Sequence, residues 1–152
     1  SQYGIPLHFT ENTLVSGKIM PAHIVDLNDY QVDEWPSTPE GEERQAREWK
    51  EMYVRLFEHP LVEAITGWDF ADGMWLHAPS GVIREDNTVK PAYNVLYDLI
   101  NNVWHTSEDL MTDEEGYVVL EGFRGDYEVS VGEKTAKYNL SKKSADGEVV
   151  KL

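Results

Sequence analysis

Two short apolar runs, residues 5–10 and 62–70, each end in polar residues and stand on either side of a single helical pattern. This arrangement constrains the chain more than any other feature. An uninterrupted apolar run of this length reads as a strand covered on both faces, the habit of parallel sheets. Between the runs, residues 12–41 are polar and broken by Pro21, Pro36 and Pro39, which predicts a long loop. Thr38 then offers a capping hydroxyl, Pro39 suits a first helical turn, and Glu40 and Glu42 favour the positive end of a helix dipole.

Residues 42–58 carry Ala46, Trp49, Tyr53, Leu56 and Phe57 at helical spacing, and His59-Pro60 stops the pattern. A second helix is predicted from Lys90-Pro91 to about residue 102, with Ala92, Val95, Leu96, Leu99, Ile100 and Val103 on its apolar face. Strand, loop, helix, strand, loop, helix is the rhythm of a parallel α/β fold. A closed barrel of that kind takes eight such units and roughly 250 residues, so two units predict a portion of one.

Beyond Trp104 the texture changes. Residues 116–123, 125–131 and 135–140 have strand composition, with turn-forming Arg124-Gly125-Asp126 between the first two. They predict a small antiparallel β appendage, and residues 141–152 predict a frayed, charged tail. The organisation expected is therefore 1–104 and 105–152.

Composition bounds the function. Aromatic residues reach 11%, with five Trp and eight Tyr, which suits either a ring-rich core or stacking on sugar faces. A formal charge of −15 repels phosphate backbones and argues against nucleic acid as a partner. The absence of cysteine excludes disulfides and thiolate metal sites. No apolar run approaches the ~20 residues of a membrane span, and the first residues lack the basic and apolar regions of a signal peptide. The five His show no metal-ligand spacing, and His8, on the first strand, is expected to be buried and hydrogen-bonded.

Reactive groups of β/α barrels lie where strands end. The first run ends in Phe9-Thr10-Glu11-Asn12, and the second carries Trp68-Asp69-Phe70-Ala71-Asp72 with Trp75 just beyond. A carboxylate near two indoles is a plausible sugar-cleaving site. From pattern alone, Glu11 reads rather as a solvated acid at a strand end or a helix cap, and the tryptophans rather as core.

Pro6-Leu7-His8-Phe9-Thr10-Glu11 resembles the strand-seven motif of family 10 glycoside hydrolases, the endo-1,4-β-xylanases. Gln45-Ala46, Phe57-Glu58-His59-Pro60, the stretch from Ala64 through Trp68 and Asp72 to Trp75, and Lys90-Pro91-Ala92-Tyr93 follow in that family's order, over about the first 104 residues. The resemblance implies an α/β fold: the C-terminal portion of a (β/α)8 TIM barrel, carrying strands seven and eight, followed by a small antiparallel β domain. It implies Glu11 as the nucleophile of a retaining mechanism on xylan, Trp68 and Trp75 as sugar-binding walls, Asp72 as a brace of the loop, and neither metal nor organic cofactor.

The departures are equally definite. No Asn-Glu segment supplies the acid/base glutamate, Asn12-Thr13 replaces the Leu-Asp common after the nucleophile, and Gly67 stands where a larger residue is usual, leaving space under the site. Positioned proton transfer contributes roughly 10²–10⁴-fold, so the chain alone is expected to be nearly inert. The partners expected are xylan or xylo-oligosaccharide and the missing N-terminal barrel portion. Neither nucleic acid nor membrane is expected, and the open sheet edges permit self-association. The rival reading is a non-catalytic carbohydrate-binding fragment using Trp68, Trp75 and Tyr117 or Tyr127, or a purely structural one. The polymeric substrate implies an extracellular or periplasmic location.

Overall fold

The computed structural model describes residues 3–141, and the expected frayed tail lies outside the described residues apart from Ser141. The chain divides into two compact units, Ser1–Ile100 and Asn101–Leu152.

In the first unit, strand β1 (Leu7–Asn12) pairs in parallel with β2 (Val62–Gly67) across helix α1 (Pro39–Phe57), and α2 (Pro91–Asp98) follows. Helix α1 begins where the local chemistry allows. Thr38 is extended, at φ −127°, and its hydroxyl accepts from the Gly41 amide, a cap that contributes about 1 kcal/mol. Gly41 is required by proximity: a Cβ there would sit 1.9 Å from the Ser16 carbonyl oxygen, so the loop before the helix passes directly over its first turn. The buried stripe of α1 is Gln45, Ala46 and Trp49, and it packs with Ala92 of α2. Leu14, Met52, Tyr53, Val82, Val95 and Leu96 close around this small core.

The strands do not behave as the apolar runs predict. β1 and β2 make up the whole of their sheet, and most β1 residues are exposed rather than covered on both faces. His8 is exposed, 3.9 Å from the Glu63 carboxylate, and is not a core residue. The register slips between Phe9 and Asn12, where Glu11 adopts φ +59°. A left-handed residue inside a strand makes a bulge, which turns a side chain out of the regular alternation.

The expected TIM-barrel portion is therefore corrected. The described residues form two helices and two separate two-stranded sheets, with no part of a barrel. Strand–helix rhythm specifies a local unit, but the number of strands joined in a sheet depends on hydrogen-bond partners remote in sequence.

α2 runs into a π-helical turn, Leu99–Val103. In the second unit, β3 (Gly125–Val131) and β4 (Lys134–Leu140) form an antiparallel hairpin through Gly132-Glu133. Gly132 takes φ +60° at the first turn position, as a type II′ turn requires. Tyr127, Val129, Ala136, Tyr138 and Leu140 are half-buried along one face. Residues 116–123 were expected to be a strand and are not one. Asp113 closes a turn over residues 113–117 by accepting from the Glu115 and Tyr117 amides, and at the other end of the stretch Tyr127 donates its hydroxyl to the Phe123 carbonyl.

Candidate functional site

Two features of the first unit concentrate side chains: a buried polar knot, and an open groove beside it.

The knot begins at Lys90, the residue before α2, which is fully buried. Its ammonium donates to the Asp72 carboxylate at 2.6 Å, the Ser16 hydroxyl at 2.8 Å and the Gly81 carbonyl at 2.9 Å. Three acceptors match the three protons of an ammonium, which is what a buried lysine needs. Asp72 also accepts from the Gly81 amide at 2.9 Å. The Ser16 hydroxyl lies 2.7 Å from that of Ser37, which donates to Glu42. Glu42 in turn receives both the Nε and a terminal nitrogen of Arg84. One chain of contacts thus joins the loop after β1, the first turn of α1, the loop after β2 and the start of α2.

Burial raises the Glu42 carboxyl, but the hydrogen bonds from Arg84 and Ser37, with the attraction of Arg84 and Lys90, outweigh it and hold the group below its ordinary 4.5. A carboxyl depressed in the folded state stabilises the fold above its unfolded pKa, and that share is lost as pH falls through the folded value. Asp72 runs the other way. Burial raises it, so its share is present at low pH and lost as pH rises through the raised value. The urea midpoint of Glu42→Gln is therefore expected to decline less steeply below about pH 4.5 than that of the parent chain. Identical slopes in the two proteins would show that Glu42 takes no part in acid destabilisation.

The groove, of about 600 Å³, runs beside the knot. Leu14, Val15, Ile19, Met20 and Val25 supply apolar surface, Trp35 and Trp75 stand along it, and Glu11 and Glu48 bring carboxylates to it. Its walls are fastened. The Arg44 guanidinium donates to the carbonyls of Val15 at 2.7 Å and Gly17 at 2.9 Å, the Trp35 indole donates to the Lys18 carbonyl at 2.9 Å, and Gln45 donates to the Leu14 carbonyl at 2.6 Å. Tyr30 meets the edge of Trp35, with ring centroids 4.7 Å apart.

The residues singled out in the sequence fall in different places. Glu11 and Trp75 line this groove, whereas Trp68 is not among its lining residues and stands 42% exposed just after β2. Gly67 leaves no space beneath the site, because a Cβ there would lie 3.3 Å from the Trp49 ring. Among the described residues no group of three or more His, Asp or Glu is arranged to hold a metal ion. Sequence reasoning missed Lys90 as a buried cation and Ile19, Val25, Trp35 and Glu48 as groove residues. Pro39 at a helix start and Pro91 at another were readable, but nothing local marks a lysine 74 residues from its serine partner.

No protein-family model matches the sequence. The chain is similar to the anti-sigma-I factor RsgI6 of Acetivibrio thermocellus, 26% identical over 151 residues. The match covers 95% of this chain and 20% of that protein, so the chain spans about a fifth of the length of its curated relative.

This likeness corrects the family 10 resemblance. The relative bears the name of a regulator of a sigma factor and not of a glycoside hydrolase. Endo-1,4-β-xylanase activity, the description of the chain as a polysaccharide-degrading hydrolase, and xylan and a missing barrel portion as partners are set aside with it. So is the carbohydrate-binding alternative. The short motifs behind the resemblance lie largely at structural positions: Gln45 binds loop carbonyls, His59 receives the Leu61 amide, and Lys90 and Asp72 form the buried pair.

Proposed function

We propose that the chain is a protein-binding, non-catalytic module of a regulatory protein of the anti-sigma kind, and that it contacts a sigma factor. The observation that carries this reading is the alignment with the anti-sigma-I factor along 95% of the chain. Two properties support it. The formal charge of −15 suits a partner that works on DNA, because such a protein carries basic surfaces that meet phosphate. The groove presents apolar side chains to solvent on a fastened scaffold, as protein-binding sites do.

The test is binding of the purified chain to each sigma factor of its source genome by calorimetry. A one-to-one complex of about micromolar affinity or tighter with one of them is the expected result. Failure to bind any of them would overturn the reading and locate sigma-factor contact elsewhere in proteins of this kind.

A further inference from the structure

The groove differs from an ordinary surface cleft in how its apolar and charged groups are distributed. Ile19 and Val25, both lining it, are 60% and 95% exposed. Among the described residues nothing covers the greater part of either side chain. From Ile19 to Glu43 the sequence holds seven acidic residues and no lysine or arginine. Glu42 belongs to the buried knot, while Asp26, Asp29, Asp33, Glu34, Glu40 and Glu43 are exposed. Asp26 follows Val25 and Glu34 precedes Trp35, so acids adjoin groove-lining residues at both ends of the loop. Tyr30 packs edge-on against Trp35, which itself lines the groove.

The cations nearby do not reverse this sign. Arg44 is held by two carbonyls and lies 3.9 Å from Glu48, so these two lining charges offset each other. Lys18 is exposed before the acidic stretch, and His23 lies within it. Glu11, at the left-handed position in β1, adds a carboxylate to the groove lining.

An apolar floor with an acidic margin selects by two criteria at once. Burial of apolar surface supplies affinity without orientation, and the margin attracts basic groups placed around an apolar stripe. We infer that this groove seats a cationic amphipathic segment of a protein partner, apolar toward Val25, Ile19 and Trp35 and basic toward Asp26, Asp33 and Glu34. The inference rests on the regulatory reading for the identity of the partner, but the groove's chemistry can be tested separately. Helices that enter the grooves of DNA have the required basic character, so the same segment of a sigma factor would be withheld from DNA while seated here.

The probe is a synthetic Leu/Lys peptide of about 18 residues with leucines at helical spacing, compared with a scrambled peptide of identical composition. Binding to the whole chain is followed by calorimetry, at low and high salt. Saturable one-to-one binding is expected, weaker for the scrambled peptide, and weakened by salt because the margin is exposed. Val25→Asp should reduce affinity about tenfold or more, and Glu34→Lys should reduce it with a shallower salt dependence. Both positions are exposed, so circular dichroism should show both variants folded.

Equal binding of the scrambled peptide, or affinity indifferent to Val25→Asp, would overturn the groove as the site. A dimer of the chain that Val25→Asp dissociates would also overturn it, assigning the groove to a second copy. A sigma-factor complex unaffected by Val25→Asp would sink this inference and leave the regulatory reading intact. Specific peptide binding with no sigma-factor complex would do the reverse.

Discussion

Lys90→Met is expected to lower the unfolding free energy of the first unit by about 3–5 kcal/mol, the usual cost of breaking a buried ion pair from one side. Methionine fills much of the same volume, so the loss is electrostatic rather than a cavity. The Asp72 carboxylate would remain about nine-tenths buried with its cation gone, still receiving the Gly81 amide. Ser16 and Gly81 would lose the ammonium as well. Burial already pushes the Asp72 carboxyl up and the Lys90 ammonium down, each opposed by attraction to the other. The pair is thus retained against its desolvation because each partner holds the other.

A double variant, Lys90→Met with Asp72→Asn, separates the causes. Removing both charges should recover part of the loss, since an amide can still accept from the Gly81 amide without carrying an unpaired charge. Urea unfolding of the parent, both single variants and the double gives the coupling directly. A cost below about 1 kcal/mol for Lys90→Met would mean that solvent reaches the site and that the knot ties nothing.

Trp49→Ala carries the second large effect, again about 3–5 kcal/mol, but by a different mechanism. Trp49 is 1% exposed and is the largest fully buried side chain among the described residues. It packs with Ala46 and Ala92, meets the Tyr53 ring edge-on at 5.5 Å, and lies close against Gly67 of β2. The indole therefore joins both helices to the small sheet. Its removal leaves a cavity beside Ala46, Ala92 and Gly67, which are too small to fill it, so any relaxation falls to the half-buried Met52, Tyr53 and their neighbours around the core. Trp49→Phe keeps part of the volume and should cost clearly less than alanine. Thermal unfolding of both variants checks the order, and equal losses would show that the indole's extra volume is not packed.

Much of the local structure was legible. Thr38-Pro39 opens α1 and His59-Pro60 follows its end, because capping and proline geometry act within a few residues. The second apolar run contains β2, and the expected strands 125–131 and 135–140 match β3 and β4. Of the candidate site, Glu11 and Trp75 were singled out and share the groove, while Trp68 is not among its lining residues. The short motifs that resembled a hydrolase misled about function, because residues that fasten loops to a helix can recur without the chemistry they accompany elsewhere.

By itself, the sequence determined where helices start, which segments extend, and that the long loop after β1 would be strongly acidic. These follow from propensity, proline geometry and charge count, all of which act over short separations. Tertiary structure alone decided that residues 116–123 form no strand, since an extended segment becomes a strand only when another backbone pairs with it. It also decided that Lys90 would be buried between Asp72 and Ser16, and that Val25, Trp35 and Trp75 would share a groove with Glu11. Those placements depend on which loops fold over α1, and a buried charge must find its partners wherever the chain brings them.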